Sequence, residues 1–193
     1  MANFESAYKI TMKFEGGYSN DPFDRGGETY AGIARNFHPD WKGWLVIDAH
    51  KELPQFPDNF KGHTLLHGYI KDFYKEHYWD TNKLDYCMSQ NVANEMFDTG
   101  VNMGVRMAAK FLQYSLNVLN KRGTLWQNIT TDGIVGSGTL RALNACLDYR
   151  GDATLYKVMN VLQGNHYIKI MMNSEDQEKY AYGWFRRVDF IKN

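Results

Sequence analysis

Between Tyr18 and Ile33 the chain abandons the helical spacing of apolar residues that it keeps almost everywhere else. Ser19, Asn20, Asp21, Pro22, Asp24, Gly26 and Gly27 crowd into this stretch, residue types that reverse a chain and do not extend a helix. Short extended segments remain around Tyr18 and from Thr29 to Ile33, which predicts a small hairpin. Before it, Phe4, Ala7, Ile10 and Phe14 predict a helix over residues 3–15 that stops at Gly16 and Gly17. After it, helices are expected over residues 43–53, across Leu66, Ile70 and Phe73, and over residues 90–102. Gly100 and Gly104 mark the change to a further helix, whose inner face carries Ala108, Leu112, Ser115 and Leu119. An irregular stretch at 121–138 precedes three more helices near 139–148, 153–172 and 177–191. The expected fold class is mainly α, with a small β hairpin near the N-terminus.

Composition removes several function classes. Lys plus Arg and Asp plus Glu each number 22, so the net charge is zero and no nucleic-acid-binding face is expected. Cys87 and Cys146 have no Cys or His at zinc spacing, so neither a metal knuckle nor a disulfide framework is expected, and no cofactor is implied. The first residues lack the basic start and apolar run of a secretory signal, and no stretch reaches the roughly eighteen apolar residues of a membrane span. Synthesis in the cytoplasm is therefore the expectation. Aromatic residues reach 15%, with 13 Tyr and 5 Trp, a surplus suited to a sugar-lined cleft as well as to a core.

The stretch after the first helix carries the chemistry. Glu15 falls at a helix C-terminus, where the partial negative charge of the backbone disfavours ionisation and raises a carboxyl pKa. Packing of rings such as Tyr18 adds desolvation in the same direction. A carboxyl group still protonated near neutrality is what proton donation to a glycosidic oxygen requires. A hairpin directly after Gly16 and Gly17 can return Asp24 or Asp21 to face Glu15, and glycoside hydrolysis commonly pairs an acid with such a second carboxylate. The Thr29 hydroxyl is placed to orient the attacking water.

The run Glu15, Gly16, Gly17, Tyr18, Ser19, with Asp21, Pro22, Asp24, Gly26, Gly27, Thr29 and Gly32, resembles the signature of glycoside hydrolase family 108, lysozyme-like N-acetylmuramidases. The resemblance continues through Asp98, Thr99, Gly100, Val101, Asn102 and Gly104. Thr131, Asp132, Gly133, Gly136, Thr139 and Leu143, with Gly183, Trp184 and Arg187, look like the peptidoglycan-binding lobe that accompanies it. It implies a lysozyme-like catalytic region at 1–104 and a helical wall-binding lobe at 105–193. It also implies that Glu15 is the general acid and that the β-1,4 bond after N-acetylmuramic acid is cleaved. The wider endolysin pattern places an Asp after eight intervening residues, as Asp24 stands here, and a Thr after five more, one residue later than Thr29.

The resulting catalytic candidates are Glu15, Asp24 and Thr29, with Tyr18, Asp98 and Asn102 as substrate contacts. Asp98 and Asn102 share a helix face and either line the cleft or fasten their helix to the β excursion. His63 and His67 stand four apart but enclose no acidic residue of a zinc-protease motif, so no metal is expected. Beyond Asp132, Ser137 is expected to cap the next helix. Two rival functions use the same residues: a lytic transglycosylase, which needs Glu15 alone, and a non-catalytic protein for wall binding or secretion assistance. A phage holin or a secretion apparatus is the expected route by which such a chain reaches the bacterial wall.

Overall fold

The computed structural model describes residues 1–14, 17–21 and 23–188, Phe14 by its backbone alone. Among them are eight α-helices and one small antiparallel sheet, so the mainly α expectation holds and the hairpin gains a third strand. The chain divides into two compact units, one formed by residues 8–77 and the other by residues 1–7 with the chain from Tyr78 onward. No helix among the described residues is long and apolar enough to cross a membrane.

The first helix, α1 (Phe4–Thr11), starts where the Asn3 side chain accepts the Ser6 N–H at 3.0 Å, and runs into a 3-10 turn at Met12–Phe14. Its buried face is Phe4, Ala7 and Thr11, while Ile10 is 37% exposed. At 100° per residue, position 11 returns over position 4, whereas position 10 lies well off that face. The expected inner role of Ile10 is therefore corrected to Thr11, and the side chain of Phe14 lies outside the described residues.

In the unit of residues 8–77, strands β1 (Tyr18–Ser19), β2 (Thr29–Tyr30) and β3 (Ile33–Ala34) pair in sequence order. The β2–β3 turn consists of Ala31 and Gly32, with Tyr30 opposite Ile33. Both turn residues have positive φ, +48° and +78°, the geometry that matches strand twist in a two-residue hairpin. The buried Tyr74 hydroxyl donates to the Ala31 carbonyl at 2.8 Å and holds this turn down. Alanine is strained there, so Ala31→Asn is expected to stabilise the fold by up to about 1 kcal/mol, read as a higher Tm. An unchanged or lower Tm overturns that expectation.

Helices α2 (Gly43–His50) and α3 (Thr64–Tyr74) close over the sheet's inner residue, so that Trp44, Ile47, Leu66, Ile70 and Phe73 join Ile33 and Phe60 in the core. His63 starts α3, its ring accepting the Leu66 N–H at 3.3 Å.

In the other unit, α4 (Gln90–Met103) is enclosed by α5 (Val105–Leu119) and α7 (Asp152–Asn173), with α6 (Ser137–Arg150) packed on both of those. Every residue of α4 from Val92 to Gly100 is buried, a pattern expected of a helix surrounded by others. Ser89 caps α4 by accepting the Val92 N–H at 3.2 Å, and Gly104 at φ +90° separates α4 from α5. Phe4, Trp79 and Phe97 meet edge to face at 5.6–6.0 Å, and Leu112, Leu116, Leu143, Leu155 and Met159 complete the core. A 3-10 segment at Glu175–Tyr180 leads into α8 (Ala181–Phe185). Ser137 is the first helical residue of α6, whose cap position is Gly136 with no side-chain bond. The structuring side chain before it is Asp132, which accepts from the Ile134 N–H and from Gln113 at 2.9 Å each.

Candidate functional site

Glu15 and Gly16 lie outside the described residues, as does Pro22. Between β1 and β2 the chain forms a loop built to one shape. Asp21 accepts the Phe23 N–H at 2.9 Å, and the Asp24 N–H donates to the Asp21 carbonyl at 3.0 Å. Asp24 Oδ1 then accepts the Gly26 N–H at 2.8 Å, while its carbonyl accepts the Gly27 N–H at 3.0 Å. Short Asp side chains that bond two residues onward make such turns locally, which is why the sequence folds this way here.

The loop is also fastened to the segment after β3. Asn36 donates its side-chain N–H to the Arg25 carbonyl at 3.0 Å and its backbone N–H to the Gly26 carbonyl at 3.1 Å. That approach leaves no room for side chains: a Cβ at Gly26 would stand 2.8 Å from the Ala34 Cβ, and one at Gly27, φ +64°, 2.8 Å from Asn36 Nδ2. The two glycines are thus explained by a close approach and a left-handed backbone. Thr29 donates its hydroxyl proton to the Gly27 carbonyl at 3.2 Å, so its lone pairs can only accept. Asp21 and Asp24 are both exposed.

Beside this loop stands a carboxylate that sequence reasoning missed. The Glu28 side chain is 9% exposed, and it receives the Tyr18 hydroxyl at 2.9 Å, Lys51 at 2.6 Å and Arg35 at 2.7 Å. Arg35 in turn bonds Asp48 with both terminal nitrogens, at 3.1 and 2.7 Å, and lies 4.4 Å over the Trp44 ring. The cluster ties the start of β2 to α2. Burial, then the bond to Glu28, pushes the Tyr18 phenol above its ordinary pKa, and its proton stays on Glu28's side. Tyr18 therefore presents its ring, edge-on to Phe56 at 4.6 Å, more than its hydroxyl.

The Arg35 hydrogen bonds hold Asp48 down to about 2, with Lys51 adding to them against a smaller opposing effect of burial. A carboxylate depressed in the folded state stabilises above its unfolded pKa, near 3.9, and loses that contribution as pH falls through the folded value. Stability is thus expected to drop between about pH 4 and about pH 2 by an increment that Asp48→Asn lacks. Thermal melts across that window check it; parallel curves for the two proteins sink the assignment.

Asp98 and Asn102 lie in the other unit. Arg187 bonds Asp98 at 2.7 Å, with side chains 10% and 12% exposed, and Asn102 donates to the Tyr167 hydroxyl at 2.8 Å. Tyr167 is buried and stacks on Trp184 at 5.0 Å, and burial followed by the charge of Asp98 pushes its phenol up. These described partners fasten α4 to α7 and to the turn after α8. Between them, Gln163 donates to Thr99 at 3.1 Å and Thr99 to the buried Glu95 at 3.2 Å, a relay the spacing of residues did not announce.

The chain is similar to known proteins. A family model described as Glycosyl hydrolase 108 matches residues 8–104, and one described as Predicted Peptidoglycan domain matches residues 107–189. The solved structure of Brucella abortus SagA is similar with a TM-score of 0.58 at 20% identity, over 96% of this chain and 88% of that one. That likeness concerns the fold. No curated protein matches the chain.

Proposed function

The chain belongs to glycosyl hydrolase family 108 and is a glycoside hydrolase that acts on the peptidoglycan of the cell wall, and from that premise we propose that it is an N-acetylmuramidase with Glu15 as general acid. Glu15 protonates the leaving oxygen of the β-1,4 bond between N-acetylmuramic acid and N-acetylglucosamine. The Asp24 carboxylate, or that of Asp21, activates water or balances the positive charge that develops on the sugar. Thr29 accepts a proton of that water in a hydrogen bond and holds it in place. Residues 1–104 carry the hydrolase, within which Asp98 and Asn102 set the position of α4, and residues 105–193 carry the wall-binding lobe.

The observation that carries this reading is that one family match spans both Glu15 and the pinned loop of Asp21, Asp24 and Thr29. Digestion of purified peptidoglycan, with mass spectrometry of the released muropeptides, tests it. Reducing muramic ends are expected. Anhydro ends would make the chain a lytic transglycosylase, and no release from several wall types would leave a binding or secretion-assisting role.

A further inference from the structure

The unit of residues 8–77 also holds a cavity of about 540 Å³ between the 37–42 segment and the second half of α3 with the helical turn that follows it, within the size range of small-ligand sites. None of the expected catalytic residues lines it. Its floor is formed by Trp41 and Phe73, with ring centroids 6.3 Å apart. Trp41 is locked in place: its indole N–H donates to the Tyr69 carbonyl at 3.2 Å, and its ring meets Trp44 edge-on at 5.1 Å. Gly43 belongs to this seat, because a Cβ there would come within 2.2 Å of an indole carbon. Glycine is a poor helix former, so its place at the start of α2 is accounted for by the ring that lies over it.

The polar groups around this floor are mostly acceptors. Asp40 and Asp72 stand exposed at the rim, and Lys42 is the one Lys or Arg among the described residues that line the cavity. His77 bonds the Phe73 carbonyl through Nδ1 at 3.0 Å, which in the neutral ring leaves Nε2 an acceptor. Burial, then the neighbouring His77, pushes the pKa of His38 down, so no cation is added there near neutrality. A carboxylate or phosphate ligand is disfavoured by this charge. A neutral ring rich in hydroxyls fits, its C–H face on the indole and its hydroxyls donating to the rim.

We propose that this cavity is a second saccharide site, taking a neutral N-acetylated pyranose of a glycan strand on the face of Trp41. It adjoins the Asp24 loop, since the Phe37 ring, 66% exposed at the cavity, reaches within 3.6 Å of where a Gly26 Cβ would stand. A strand held at Trp41 is thereby presented beside the loop that carries the second carboxylate. The assignment rests on the hydrolase reading for the choice of glycan.

Titration of the full chain bearing Glu15→Gln with triacetylchitotriose, followed by NMR at the Trp41 indole N–H and the His77 ring, tests it without turnover. Saturable shifts at both are expected, with binding weakened about tenfold in Trp41→Ala and in Gly43→Ala, whose methyl displaces the indole. Phe37→Ser, at an exposed position, serves if either variant fails to fold, and is expected to weaken binding in the same direction. No shift at these groups, unchanged affinity in the folded variants, or a response to 1,5-diaminopentane and not to the saccharide overturns the proposal. Muropeptide release by the unmodified chain is measured separately, and its absence would overturn the hydrolase reading while leaving the titration to be judged on its own.

Discussion

Glu15→Gln is expected to lower the rate of muropeptide release by about 10²–10⁴-fold, the contribution typical of a positioned general acid. Glutamine keeps the shape of the side chain and removes the proton that would pass to the glycosidic oxygen. The fold is expected to survive, because the substitution changes no apolar surface, so circular dichroism and Tm serve as the control. Asp24→Asn and Asp21→Asn then separate charge from turn. In each, the amide carbonyl still accepts the backbone N–H of Gly26 or Phe23, so the loop is preserved and only the charge is lost. Whichever variant loses rate identifies the second carboxylate. If Glu15→Gln releases reducing muramic ends at the unmodified rate, the acid lies elsewhere and the proposed mechanism fails.

Much of the fold is legible in the sequence where one face of a helix is buried. Leu66, Ile70 and Phe73 announce α3, and Ala108, Leu112 and Ser115 announce the inner face of α5, because a period of about 3.6 survives in them. The irregular stretch at 121–138 is equally plain from its glycines. Thr11 escapes notice because a Thr in place of an apolar residue hides the face it belongs to, and the exposed Ile10 stands in its stead. The second hairpin escapes notice because Ala31 occupies a left-handed position at which Asn would have signalled the turn. The loop of Asp21 and Asp24 is readable, since its bonds run two or three residues along the chain. Glu28 is not, for its partners Tyr18, Arg35 and Lys51 reach it from β1, from beyond β3 and from the end of α2. Local chemistry leaves a local pattern; a charge cluster assembled by tertiary structure leaves none.

Asp98 marks the same limit, and removing its described partner is expected to have the largest effect on stability of any change proposed. The Arg187–Asp98 pair spans 89 residues of sequence, and both side chains are nearly enclosed. Arg187→Met leaves a carboxylate buried beside Tyr167 without that counter-charge, a loss typically worth about 3 kcal/mol or more. For a chain of this size that corresponds to roughly 6–12 °C in Tm. Asp98→Asn is expected to cost less, since an amide carbonyl still accepts from the guanidinium, and the double variant less than the sum of the two. The decisive comparison is between stability and turnover. If Asp98 positions α4 and does not touch substrate, Asp98→Asn lowers Tm while kcat per folded molecule at a temperature well below the transition stays close to that of the unmodified chain. A fall in kcat of about a hundredfold with Tm unchanged would instead return Asp98 to the substrate, as the helix-face spacing first allowed.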